Sequence, residues 1–103
     1  MIMESKSEPT SFETKINALL ISPVDDVVTV ITELTGGDRA VFLKNGEITQ
    51  VTVVGAIPQY HKLAVRDIHK EEPIRKYGEI MGQATRDIAQ GSHVHDHNVD
   101  SPK

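Results

Sequence analysis

The segment Gly91-Ser92-His93-Val94-His95-Asp96-His97-Asn98 holds three of the chain's five histidines within five positions. On an extended strand successive side chains alternate faces. His93, His95 and His97 then share one side, with Val94 and Asp96 on the other. Same-side positions lie ~7 Å apart, near enough for imidazoles to lean onto one cation. Neutral imidazole suits Zn2+, Mn2+ or Fe2+, and a working centre needs only two or three protein ligands with positions left open. The metal ligands expected on spacing are therefore His93, His95 and His97. The competing reading is a solvated His-rich segment, because His-x-His is only moderately specific.

A second place for chemistry is His61-Lys62, after Ile57-Pro58-Gln59-Tyr60. A histidine and a lysine at a strand start can bind a carboxylate or move a proton; an ordinary surface pair is the alternative. Lys62, Arg66, Lys70, Arg75, Lys76 and Arg86 make residues 61–90 locally basic, six Lys/Arg against five Asp/Glu, whereas residues 16–60 have two against five. That side could face an anion, although a solvated charged surface explains the same bias. Lys76-Tyr77-Gly78 offers a cation and a phenol, with Tyr77 expected as a core aromatic. Asp25-Asp26 follows Ser22-Pro23 and reads as a turn pair rather than a metal site. No Ser-His-Asp order, glycine-rich phosphate loop or recognisable catalytic carboxylate pair is present. Without cysteine there are no disulfides, thiolate ligands or Cys nucleophiles, which suits a cytoplasmic setting.

The elements that must position these residues are short. Val27-Val-Thr-Val-Ile-Thr32 is six β-branched residues in a row, which favours a strand over a helix. Ala40 to Leu43 and Ile48 to Val54 flank Lys44-Asn45-Gly46-Glu47, and Asn-Gly between two such runs is a strong hairpin signal. Further short runs are Ile16 to Ile21, Leu63 to Ile68, Ile74 to Tyr77, Ile80 to Ile88 and His93 to His97. A repeat links them. Ala64-Val-Arg66-Asp67-Ile68 aligns with Ala84-Thr-Arg86-Asp87-Ile88 at an offset of twenty, and Ile31-Thr-Glu-Leu34-Thr-Gly-Gly37-Asp is a weaker third copy. Each copy reads strand, turn, strand, and Asp67 and Asp87 are expected to bond turn amides. The expected fold is mostly β, with one or two short helical turns allowed.

At 103 residues the chain suits one small domain. Residues 1–14 read as a disordered polar leader, 15–98 as the folded part and 99–103 as a polar tail. The net charge is -4 and there is no Trp, which argues against nucleic acid. No run approaches the ~18 apolar residues of a membrane span. A domain of this size buries only ~60–70% of its unfolded surface, so a stabilising partner is expected.

Four stretches then resemble one family in order and spacing. They are Asp25-Asp26-Val27-Val28-Thr29-Val30, His61-Lys62-Leu63-Ala64-Val65-Arg66-Asp67-Ile68, Ile74-Arg75-Lys76-Tyr77-Gly78-Glu79-Ile80-Met81-Gly82 and Gly91 to Asn98. Together they are similar to the SAF-type domain of the altronate dehydratase/galactarate dehydratase family, which includes the alpha subunit of sulfolactate sulfo-lyase. The chain departs from the family pattern at Ser22, where many members have His, at Asp26, which replaces Asn, and at Tyr60, where Gly commonly precedes the His-Lys pair.

The resemblance implies a SAF-like β-clip over residues 15–98. It implies the small subunit or N-terminal domain of a metal-assisted hydro-lyase, which dehydrates a sugar acid such as altronate or galactarate. In that chemistry a base removes the proton α to a carboxylate, a divalent metal (Fe2+, Mn2+ or Zn2+) acts as Lewis acid, and water leaves. Sulfite is the leaving group in the sulfo-lyase alternative. The implied partners are a large catalytic subunit and an acidic small molecule; self-association is compatible. His61, Lys62 and His97 are the expected catalytic groups, and Arg66, Lys76 and Asn98 the expected substrate contacts. Two other readings are a non-catalytic SAF-type binding module and a stand-alone metal-binding β-domain of cupin type. The cupin reading is disfavoured by the lack of a Glu and a distant fourth His at suitable spacing.

Overall fold

A computed structural model describes residues 15–101; the leader at 1–14 and the last two residues lie outside the described part. Nine strands form: β1 (Ala18–Leu19), β2 (Val27–Val30), β3 (Arg39–Lys44), β4 (Glu47–Thr52), β5 (Lys62–Ala64), β6 (Pro73–Lys76), β7 (Glu79–Ala84), β8 (His93–Val94) and β9 (Val99–Asp100). They make a sheet of order β1-β2-β5-β8, a β3-β4 hairpin and a sheet of order β6-β7-β9. Every pairing is antiparallel. The mostly-β expectation holds. The helical turns it allowed for are absent among the described residues, because β-branched runs and closely spaced turn residues leave no stretch long enough to nucleate a helix. Val99 and Asp100, expected in a polar tail, instead pair with Ala84 and Gln83 as β9.

One local device recurs four times. At Leu34, Ile57, Ile68 and Ile88 an isolated bridge residue is followed, three positions on, by a residue with positive φ: Gly37 (94°), Tyr60 (69°), Glu71 (75°) and Gly91 (91°). The N–H of each of these four donates to the end of a strand or the residue just past it: Gly37 to Val53, Tyr60 to Val30, Glu71 to Ala84 and Gly91 to Ala64. Each acceptor residue returns its own N–H to the carbonyl just beyond the donor, at Asp38, His61, Glu72 and Ser92 respectively. The copies pair reciprocally, Leu34 with Ile57 and Ile68 with Ile88. The expected role of the repeat aspartates is met across the second pair. Asp67 Oδ1 accepts from the Gln90 N–H and Asp87 Oδ1 from the Lys70 N–H, both at 2.8 Å.

Each reciprocal pair encloses one hairpin. Asn45-Gly46 (φ 52° and 81°) turns β3 into β4, and Tyr77-Gly78 (58° and 79°) turns β6 into β7. Two successive positive φ values define the turn that matches strand twist. Tyr77 is therefore corrected from a core aromatic to a turn residue. It is 63% exposed because its left-handed backbone sits at a hairpin tip, and its ring lies 3.5 Å below Lys76 Nζ.

Two cores result. The first gathers Val28, Val30, Leu34, Phe42, Val53, Ile57 and Leu63; the second gathers Val27, Ala64, Ile68, Ile74, Ile88 and Val94. Neighbouring residues of β2 and β5 fall in different cores, as strand alternation requires, so these two strands are common walls. Asp25 and Asp26 clamp the second hairpin to them. Asp25 accepts from the N–H groups of Ser22, Tyr77 and Gly78, and Asp26 from the N–H of Arg75 and from Arg66 Nε. Both are buried, which is tolerable only with such hydrogen bonds.

Candidate metal centre

β5 and β8 pair with Lys62 opposite Val94 and Leu63 opposite His93. Continuing that antiparallel register by one pair sets His61 across from His95. The pairing follows from the repeated device: β5 leaves the copy ending at Tyr60, and β8 leaves the copy ending at Gly91. His61 thus precedes the start of β5 and lies level with His95, just past the end of β8, while His93 opens β8 opposite Leu63.

The three rings stack. Centroids are 4.2 Å apart for His61 and His95, 5.0 Å for His61 and His93, and 5.5 Å for His93 and His95. One nitrogen from each lies within 4.8 Å of the others, a grouping able to hold a metal ion. His61 Nδ1 and His93 Nε2 share a hydrogen bond at 2.8 Å, so at least one is a donor without an ion. His95 Nδ1 is buried and has no partner. A buried nitrogen lone pair or N–H without a partner is costly, and a cation bound to a neutral lone pair would satisfy it. Burial, helped by the nearby imidazoles and Lys62, pushes the pKa of His93 below its ordinary value. That favours the neutral ring, the form that binds metal. The residues therefore fit a divalent cation.

The grouping able to hold an ion differs from the set expected on spacing. The extended segment stops at Val94, and residues 95–98 turn back toward β9, so the alternation does not run to His97. His97 is exposed, with its ring centroid 5.2 Å from that of His93, and it stands beside the trio rather than within it. His61 takes its place. Asn98, expected at substrate, is 4% exposed and closes the turn: its Oδ1 accepts from the His95 N–H and its Nδ2 donates to the His93 carbonyl, both at 2.9 Å. It braces two of the three imidazole residues. Arg66 is engaged with Asp26, the Asp67 carbonyl and Glu72. The Asp26 hydrogen bond foremost raises its pKa and keeps it charged. Lys76 lies over Tyr77. Lys62 does reach the centre's surroundings, lining a groove of about 190 Å3 with Met81, His95, Asp96 and Asp100.

Residues 16–102 match the family described as the altronate/galactarate dehydratase SAF domain. The chain belongs to that family. All three imidazoles, Lys62 and Asn98 fall inside the matched range. Among curated relatives, (2R)-sulfolactate sulfo-lyase subunit alpha of Chromohalobacter salexigens is 48% identical over 50 residues, covering 48% of this chain and 53% of that protein. Altronate dehydratase of Escherichia coli is 37% identical over 79 residues, 77% of this chain and 15% of its own. Altronate dehydratase of Bacillus subtilis is 31% identical over 75 residues, 73% of this chain and 14% of its own. The chain thus spans about half of the first relative and about a seventh of the other two. Among the described residues no helix is long and apolar enough to cross a membrane.

Proposed function

We propose that this chain is the SAF portion of a cytoplasmic lyase that eliminates water from a sugar acid, and that it works with a larger catalytic partner. The observation that carries the reading is the stacked trio His61, His93 and His95, with the buried, unpartnered Nδ1 of His95. The trio would hold a divalent cation. When bound, such a cation supplies Lewis-acid polarisation of the acid group and neutralises developing charge.

The chain's own groups account for the rest. Lys62, in the groove beside His95, pairs with the substrate carboxylate and fixes its orientation. His97, exposed next to His93, exchanges the proton. The electron pair of the C–H bond α to the carboxylate becomes the new double bond. The neighbouring C–O bond breaks with its pair, and the departing hydroxide takes a proton to leave as water. The enol product then becomes the keto acid. A groove of about 190 Å3 is smaller than the ~300–1,000 Å3 of enclosed ligand sites, so a second wall from the partner is required to exclude water.

Sulfite departure is the second reading, favoured by the 48% identity to a protein that is itself a subunit. Both are tested by combining the chain with its partner, adding Fe2+, Mn2+ or Zn2+, and offering altronate, galactarate or sulfolactate. Keto-acid formation from a sugar acid that needs both components and is lost in His95→Ala supports the first reading. Sulfite release supports the second, and full activity of the chain alone sinks the partner requirement.

A further inference from the structure

The groove next to the imidazole centre carries mixed charge. Lys62 and His95 line it together with Asp96, Asp100 and Ser101. Asp96 and Asp100 are exposed, and no side-chain hydrogen bond or ion pair engages them among the described residues. Asp96 is held in the turn that Asn98 closes, and Asp100 is on β9 opposite Gln83. One ammonium and two carboxylates that no side chain among the described residues engages thus line a single space that fits part of a small acid.

We infer that Asp96 and Asp100 are specificity-determining residues of this groove, accepting hydrogen bonds from the hydroxyls of a bound hydroxy-acid and rejecting a second anionic group. The inference rests on the proposed binding of a hydroxy-acid at this centre, and among the acids named above it selects altronate, with one carboxylate, over galactarate and sulfolactate, which carry two anionic groups. A ligand with one carboxylate places it on Lys62 and leaves hydroxyls for the aspartates. A ligand with an anion at both ends must set the second one against Asp96 and Asp100. In water, like charges ~4 Å apart repel by a factor of about five in affinity, and two of them act here, so discrimination of about twenty-five-fold is expected.

Gluconate and glucarate are a matched pair of probes, differing only in whether the far carbon is an alcohol or a carboxylate. The full chain is first titrated with Zn2+ and then with each acid, following backbone amide and imidazole resonances by NMR. In Asp96→Asn/Asp100→Asn, glucarate affinity is expected to rise about twenty-five-fold while gluconate affinity changes by less than twofold; Lys62→Gln weakens both acids. Unchanged glucarate affinity in the double variant overturns the inference, as does a native chain whose groove resonances move with neither acid. If Zn2+ leaves His61, His93 and His95 unperturbed, the metal reading itself fails, which is a separate result from a failure of the aspartates.

Discussion

Of the three imidazoles, His95 has the most to gain from a bound cation. Its Nδ1 is buried and unpartnered, whereas His61 and His93 satisfy each other. Replacing it by alanine removes one of the three imidazoles proposed to hold the cation, and calorimetry is expected to show Zn2+ affinity falling at least tenfold with the fold retained. An unchanged affinity excludes the trio as ligands. Tyr60 poses the opposite problem. Its φ of 69° is costly for any residue with a Cβ, and the equivalent sites at Gly37 and Gly91 are glycine. Tyr60→Gly is therefore expected to stabilise the chain by about 1 kcal/mol in urea unfolding, since the ring is 68% exposed and little packing is lost. Glu72 supplies a pH dependence. The His69 N–H foremost, and then Arg66, hold its pKa below 4.5. The proton then prefers the unfolded chain, so the stabilisation is complete above pH 4.5 and is lost as pH falls through the folded-state value. Glu72→Gln should be less stable than the native chain at neutral pH, with the gap closing as pH falls below 4.5.

At the scale of elements, the turn carrying His95 depends on Asn98, whose amide meets one N–H and one carbonyl. Asn98→Ala leaves those two groups without their partner and is expected to cost about 1–3 kcal/mol. It should also weaken Zn2+ binding, although every imidazole remains; a variant that binds Zn2+ normally would refute the bracing role. How legible these elements were depends on whether their signal is local. Asn45-Gly46 announced its hairpin because both residues tolerate positive φ, but Tyr77-Gly78 makes the same turn with a tyrosine that reads as core. The copies at Ile68 and Ile88 were visible through Arg-Asp-Ile, and the copy at Leu34 faintly. The copy at Ile57 was hidden, because Pro58 and Tyr60 occupy it and its geometry is held by backbone hydrogen bonds that leave no residue signature. That hidden copy is what brings His61 to His93. The spacing of His93 and His95 could be read directly, but the third imidazole of the trio came from strand pairing across more than thirty residues. The exchange of His97 for His61 follows from that and from the chain turning after Val94.

The molecule as a whole is two similar units, each a reciprocal pair of corners around a hairpin, sharing β2 and β5 between their cores. Val27 and Val28 are adjacent on one strand yet pack in different cores, and so do Leu63 and Ala64. Neither core can lose its wall without exposing the other. The imidazole centre sits where β5 meets β8, so its geometry depends on the shared wall remaining intact. This arrangement predicts one cooperative unfolding transition despite two cores. Phe42 in the first and Ile74 in the second are both essentially fully buried; truncating either to alanine costs about 2–5 kcal/mol. Native-state hydrogen exchange is the measurement. With Ile74→Ala, protection is expected to fall by the same amount at Val30 and Leu34, whose amides bond to His61 and Ile57, as at Ile68 and Ile88. A loss confined to the second unit would mean that β2 and β5 do not couple the two halves. The centre would then rest on β5 and β8 alone, and a partner would have to supply the rigidity that the shared strands do not.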